Sequence, residues 1–304
     1  MTTLDPALTE VVRGADLAGR TVVVTGATTG MGLETARALA AIGARTVLVG
    51  RDPQRLAAAR ERVTPLASAP VSAVELDLAD LRSVTEGADT LADQLERIDV
   101  LVNNAGVMFT PLQRTAQGHE LQFGTNHLGH FALTTALRPL LGAGSRVVNL
   151  SSAGHRLGAV DLADVDWERR PYDKFEAYGA AKTANILFTV EADRRWSADG
   201  VRSFAVHPGT VATDLARYMD KADFREMARL AGGTTPGEKP KRMSFATPAE
   251  GATTAVWAAV SPELEGRGGL YLADRGISDD VEPWATDPTV AAALWELSEQ
   301  LVSS

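Results

Sequence analysis

The sequence predicts a single doubly wound α/β domain, a seven-stranded parallel sheet flanked by helices on both faces. Three observations carry this reading. Short runs rich in β-branched and aliphatic residues alternate with longer segments of helical spacing. Most of those runs are apolar throughout rather than at every second position, as expected where helices cover both faces of a sheet. No linker or repeat divides the 304 residues, enough to bury one large core.

In chain order, the first strand is Thr21–Thr25, followed by a helix at Gly32–Ile42. The next pairs are strand Thr46–Val49 with helix Gln54–Val63, strand Val71–Leu76 with helix Leu81–Leu95, and strand Val100–Val102 with helix Gly118–Leu140. Strand Arg146–Leu150 is followed by helix Glu176–Trp196, and strand Ser203–Val206 by helix Pro248–Ala259, before a seventh strand at Gly269–Leu272. Residues 214–247 form an excursion after the sixth strand, longer than the usual connection. Its stretch LAGGTTPGEKPKR at Leu230–Arg242 reads as a mobile loop, which makes 214–247 a candidate substrate lid. Thr289–Val302 carries Val290, Leu294, Leu297 and Leu301 at helical spacing and is expected to pack back on the sheet.

Composition narrows the function. With 39 acidic and 30 basic residues the net charge is −9, which argues against a nucleic-acid partner. Cysteine is absent, and the five histidines lack ligand spacing, so no metal site is expected. The first twenty residues contain Asp5, Glu10, Arg13, Asp16 and Arg20 and no long apolar run, so no membrane partner is expected and the cytoplasm is the expected location.

The first strand runs into TGATTGMG at Thr25–Gly32 and then into an apolar helix. Glycines at 26, 30 and 32 allow a tight turn, close approach of backbone amides to a pyrophosphate, and close helix–strand packing. At the end of the second strand, where a carboxylate would select NAD, the residue is Gly50, followed by Arg51, whose guanidinium can pair with a 2′-phosphate. NADP is therefore favoured over NAD, although Arg51 could instead pair with Asp52. Farther on come NNAG at Asn103–Gly106, Asn126, the pair Ser151-Ser152 at a strand end, and Tyr178 with Lys182. Four residues apart on a helix, Tyr178 and Lys182 point to one side. A nearby ammonium favours tyrosinate, and bringing a tyrosine from about 10 to near neutrality needs roughly three pKa units.

Together TGxxxGxG at 26–32, NNAG at 103–106, Asn126, Ser152, YxxxK at 178–182 and Pro208-Gly209 resemble the short-chain dehydrogenase/reductase superfamily over residues 18–302. The details NAGVM at 104–108, NHLGHF at 126–131, YGAAKTANILF at 178–188 and LWELSEQL at 294–301 are similar to its retinol-dehydrogenase-like and WW-domain-oxidoreductase-like branch. The resemblance implies a Rossmann fold with strand order 3-2-1-4-5-6-7.

It also implies roles. Tyr178 would be the general acid/base, and Lys182 would lower its pKa and hydrogen-bond the nicotinamide ribose. Ser152, the second serine of its pair, would orient the substrate carbonyl, and Asn126 would hold a relay water. The cofactor would lie along Gly26, Thr28, Thr29, Gly30, Met31 and Gly32, with Arg51 at the 2′-phosphate. Asp77 and Leu78 would border the adenine, Asn104, Ala105 and Gly106 the cleft, and Pro208, Gly209, Val211 and Thr213 the nicotinamide amide. Ser152 and Tyr178 lie 26 positions apart, about twice the separation in many members. The extra residues, including DLADVDWERRPY at Asp161–Tyr172, are expected to form a loop near the substrate cleft, with specificity placed in 153–177 and 214–247.

The implied function is NADP-dependent hydride transfer between nicotinamide and a small-molecule alcohol or carbonyl, a lipophilic one. The alternatives are a non-catalytic NADP sensor and a C=C reductase. The family's habit of pairing through the helices carrying Asn126 and Tyr178 implies a possible homodimer.

Overall fold

A computed structural model describes residues 3–212, 214–232 and 245–303. In its central strand β1 (Thr21–Thr25), Val22 and Val24 join the apolar cluster on one face of the sheet and Val23 the cluster on the other, all without solvent exposure. Burial on both faces is why the run reads as continuously apolar. β2 (Arg45–Gly50), β3 (Val71–Glu75), β4 (Val100–Asn103), β5 (Arg146–Leu150), β6 (Arg202–His207) and β7 (Leu270–Ala273) complete a parallel sheet in the order 3-2-1-4-5-6-7.

The sheet has eight strands rather than seven. β8 (Gly276–Ile277) pairs antiparallel with β7. Its turn places Asp274 and Arg275 at φ 49° and 59°, the left-handed pair that a tight hairpin requires. Two residues after a turn without Asn-Gly or Asp-Gly leave no strand pattern to read.

α2 (Gly30–Ala41), α3 (Pro53–Val63) and α9 (Pro248–Val260) cover one face, through Leu33, Leu39, Leu56, Val63, Ala252 and Val256. A short α1 (Pro6–Val11), not anticipated, packs on α9. The other face is covered by α4 (Leu81–Gln94), α6 (Gly129–Ala136) and α7 (Lys174–Trp196), through Leu91, Phe131, Leu133 and Phe188. α7 starts two residues earlier than its pattern suggests because Asp173 accepts from Phe175 N and Glu176 N.

The helix expected at 118–140 is not continuous. It is built of α5 (Leu121–Phe123), a π-helical turn at Gly124–Leu128 and α6, and it ends in a 3₁₀ turn containing Pro139. A π turn inserts one extra residue into the ladder, which hydrophobic spacing does not reveal. The expected loop at 214–247 contains a 3₁₀ turn at Asp214–Tyr218 and α8 (Lys221–Gly232), while residues 233–244, including most of the Gly- and Pro-rich stretch, lie outside the described residues. Both ends of this excursion are pinned together: Ala246 N donates to Thr210 O and Ala212 N to Ala246 O.

α10 (Pro288–Ser303) lies mainly on α7 and the π turn rather than directly on the sheet. Ala291 and Leu294 meet Phe123, Leu128, Ala184 and Leu187. Trp295 stacks on Phe188 at 5.6 Å and meets Phe131 and Trp196 edge-on. A dimer formed through this face of α7 would have to displace α10. Among the described residues no helix is long and apolar enough to cross a membrane.

Trp295→Ala should therefore remove a core anchor and not a surface residue. Urea unfolding followed by circular dichroism should show a loss of about 3–5 kcal/mol; a loss below about 1 kcal/mol would mean that α10 adds little to the core.

Candidate active site

β1 delivers the chain into a turn whose glycines are demanded by contact. At Gly26, φ is 63°, and a β-carbon would lie 2.8 Å from Ala105 Cα; at Gly32 it would lie 2.4 Å from Gly26 O. The turn is therefore locked against the NNAG segment after β4. Thr25 Oγ1 accepts from Asn104 N at 2.9 Å and from Ala105 N at 3.1 Å, and Asn104 Nδ2 donates to Thr25 O at 2.9 Å.

From this turn a cleft of about 870 Å³ runs across the carboxyl ends of the strands, where ligands bind in open α/β sheets. All the residues expected at the cofactor line it except Thr213, which lies outside the described residues. The cleft also takes in Arg55, one helical turn beyond Arg51 at the start of α3, and both arginines are exposed at its rim. Arg55 escaped the sequence reading, although its spacing from Arg51 could have flagged it.

Ser152, Tyr178 and Lys182 all line the cleft. The structure also separates the serine pair. Ser151 Oγ donates to Lys182 O at 2.9 Å and is buried behind the site, whereas Ser152 Oγ hydrogen-bonds with Tyr178 and accepts from Gly154 N at 2.9 Å. Lys182 Nζ donates to Leu150 O at 2.9 Å and lies 5.8 Å from the centre of the Tyr178 ring. Asn126 stands in the π turn behind the cleft wall. Its Oδ1 accepts from Val107 N at 2.8 Å and its Nδ2 donates to Val107 O at 2.9 Å, so its side chain fixes the backbone just past NNAG.

One connector was passed over as an ordinary core residue. His130 Nδ1 is 3.0 Å from Asn126 O, and its Nε2 is 2.8 Å from Thr25 Oγ1. The Asn126 carbonyl can only accept, so Nδ1 carries the imidazole hydrogen, and Nε2 accepts from the Thr25 hydroxyl, which lies closer to it than to its other acceptor, Val102 O at 3.4 Å. Burial holds His130 neutral, its pKa lowered to about 4. No spacing rule marks such a residue.

The electrostatics differ from the expectation that Lys182 draws the tyrosine toward neutrality. Burial pushes the Tyr178 hydroxyl up to about 12, opposed by its hydrogen bond with Ser152. The Lys182 ammonium is itself lowered to about 8 by burial. Desolvation thus disfavours both charged forms.

The extra segment between Ser152 and Tyr178 also lies elsewhere than expected. Ala153, Gly154, Arg156 and Leu157 line the cleft, but none of 158–177 does. Asp161–Tyr172 packs instead behind residues 110–122: Asp166 Oδ1 accepts from Glu120 N, and Gln122 Nε2 donates to Tyr172 OH. The cleft is also lined by the apolar side chains of Met108, Phe109, Leu157, Met219, Phe224, Met227 and Phe245.

The site's residues fit a dinucleotide. Gly26, Gly30 and Gly32 all line the cleft without side chains, and β-carbons at Gly26 and Gly32 would collide with Ala105 and Gly26 O. A bare turn opening into a helix N-terminus suits a pyrophosphate pressed against its amides.

Known proteins resemble the chain over most of its length. The model for the short chain dehydrogenase family matches residues 20–223. Retinol dehydrogenase 13 of Homo sapiens is 38% identical over 292 residues, covering 95% of this chain and 86% of that one. Retinol dehydrogenase 14 of Mus musculus is 38% identical over 298 residues, covering 93% and 86%. A crystal structure of a protein from Mycobacterium Paratuberculosis superposes with a TM-score of 0.76 at 37% identity, covering 97% of each chain.

Burying an ammonium costs stability that a neutral side chain would not. Lys182→Met leaves the Leu150 carbonyl its second donor, Asn185 Nδ2 at 3.0 Å. At pH 7 the variant should melt higher than the parent, by at most roughly 3 kcal/mol in stability. Because the folded pKa of Lys182 lies below the unfolded one, the cost is full below about pH 8 and fades as pH rises toward 10.5, so the gap should close over that interval. Thermal melts of both proteins from pH 7 to 10 test this; a parent more stable at pH 7 would contradict it.

Proposed function

The chain belongs to the short chain dehydrogenase family, and on that premise we propose that it is an NADP-dependent oxidoreductase acting on lipophilic alcohols and their aldehydes or ketones. The observation that carries this is that Ser152, Tyr178 and Lys182 line one cleft together with a glycine-rich turn, Arg51 and Arg55, and a set of apolar side chains. When bound, the nicotinamide supplies or accepts the hydride.

The chain's residues handle the rest. In the direction of reduction, Tyr178 gives its proton to the carbonyl oxygen as charge develops there, and Ser152, hydrogen-bonded with Tyr178, aims at the same oxygen. A tyrosine held protonated by burial is suited to that donation. Lys182 keeps a positive charge beside the phenolate left behind and faces the ribose position, and Asn126 keeps the Val107 backbone, next to Gly106, in place. Arg51 and Arg55 hold the 2′-phosphate. The apolar side chains take the body of the substrate, with the 3₁₀ turn at 214–218 and α8 as its cover. The names of the relatives at 38% identity, retinol dehydrogenases, support a lipophilic substrate.

Tyr178→Phe should lower NADPH-dependent reduction of a hydrophobic carbonyl panel that includes retinal by about 10²- to 10⁴-fold while leaving NADP affinity within a few-fold. Reduction within a few-fold of the parent would mean that Tyr178 moves no proton. Titrations followed by tryptophan fluorescence should show NADP bound about tenfold or more tightly than NAD, with the gap largely gone in Arg51→Ala. Equal affinities in the parent would overturn the cofactor assignment.

A further inference from the structure

Phe109 holds a conformation that a bulky residue does not adopt without support. Its φ is 52°, in the left-handed region, and it is almost wholly buried although one side lines the cleft. Its ring stands edge-on to Tyr178 with centroids 5.0 Å apart, and 4.4 Å from that of Phe175, one helical turn before Tyr178. The ring therefore walls one side of the tyrosine.

A buried chain of hydrogen bonds holds that backbone. Phe109 N donates to Gln122 Oε1 at 2.8 Å, and Gln122 Nε2 donates to Tyr172 OH at 2.9 Å and to Lys174 O at 3.0 Å. The Tyr172 hydroxyl lies 2.9 Å from Glu120 Oε1 and 3.1 Å from Thr110 O, two acceptors for its one hydrogen. Gln122 and Glu120 have no solvent exposure. Tyr172 packs edge-on against Trp167, itself at φ 55°, and the Arg170 guanidinium lies 3.8 Å over the Trp167 ring. Two of the left-handed non-glycine residues thus stand at the two ends of one network. A surface loop with no other task would not need either.

We propose that Phe109 is a positioning residue for Tyr178, held against it by the 158–173 segment through Tyr172 and Gln122, so that a segment outside the cleft sets the environment of the proton donor. The proposal rests on the reading of Tyr178 as that donor. An aromatic edge restricts the tyrosine ring to one orientation and keeps water from its flank. Leucine is too short to span the same gap. Tyr172→Phe keeps the ring on Trp167 but removes one of the two acceptors of Gln122 Nε2 and the donor shared by Glu120 and Thr110 O.

The test uses full-length, NADP-saturated protein carrying Phe109→Leu or Tyr172→Phe. Tyrosinate absorbance is titrated in each and in its Tyr178→Phe counterpart, and the difference isolates Tyr178; retinal reduction is measured in parallel. In Phe109→Leu, water reaches the hydroxyl, so the ionisation constant of Tyr178 should rise about tenfold and kcat fall about tenfold or more, with KM for NADPH unchanged. Tyr172→Phe should move both in the same direction by a smaller factor. Titration midpoints within twofold of the parent in both variants would reduce Phe109 to packing, whether or not the melting temperature drops. Retinal reduction by Tyr178→Phe within a few-fold of the parent would instead defeat the catalytic reading itself, so the two failures are distinguishable.

Discussion

One hydroxyl holds the halves of this site together. Thr25, at the last position of the central strand, receives two backbone amides from the NNAG segment and offers its hydrogen to His130, which in turn reaches the carbonyl of Asn126. The glycine-rich turn, the strand end beside it and the π turn are thereby placed relative to one another through four hydrogen bonds that leave that hydroxyl fully used. Close approach is possible only because residues 26 and 32 carry no side chain. The cleft follows from this joint, since its floor and one wall are the segments it fastens.

The second organising constraint is the low polarity of the middle of the cleft. A phenol and an ammonium are both buried there, each pressed toward its neutral form. Such a site stores free energy in unfavourable solvation, to be released when a ligand brings complementary charge. Neighbouring backbone absorbs part of the strain: the Leu150 carbonyl receives both Lys182 and Asn185.

Much of this was legible because it depends on local pattern. Fully buried strands write themselves as apolar runs, and the glycine-rich turn, NNAG, Ser152 and the Tyr178–Lys182 pair are contiguous or regularly spaced residues whose chemistry is local. What escaped depends on contacts between distant segments. β8 is two residues of a hairpin whose two central turn residues are Asp274-Arg275, neither of them glycine. The break at 124–128 is one extra residue in a helical ladder. His130 looks like any histidine on an apolar helix until Thr25 and Asn126 are seen on either side of it. Asp161–Tyr172 reads as a loop near the cleft from the extra length between Ser152 and Tyr178, yet Asp166 and Tyr172 find their partners at 119–122, away from the cleft lining.

The placement of α10 has a temporal side. Phe123, Leu128, Ala184 and Leu187, and the aromatic group of Phe131, Phe188 and Trp196, present apolar surface that residues 288–303 help to cover. During synthesis the catalytic helix leaves the ribosome roughly ninety residues ahead of its lid of apolar side chains, at about 5–20 residues per second. For some seconds each nascent chain carries a sticky stripe beside its future active site, a natural docking place for a chaperone. Completion of the active enzyme is thus coupled to arrival of a segment that contributes nothing to its chemistry.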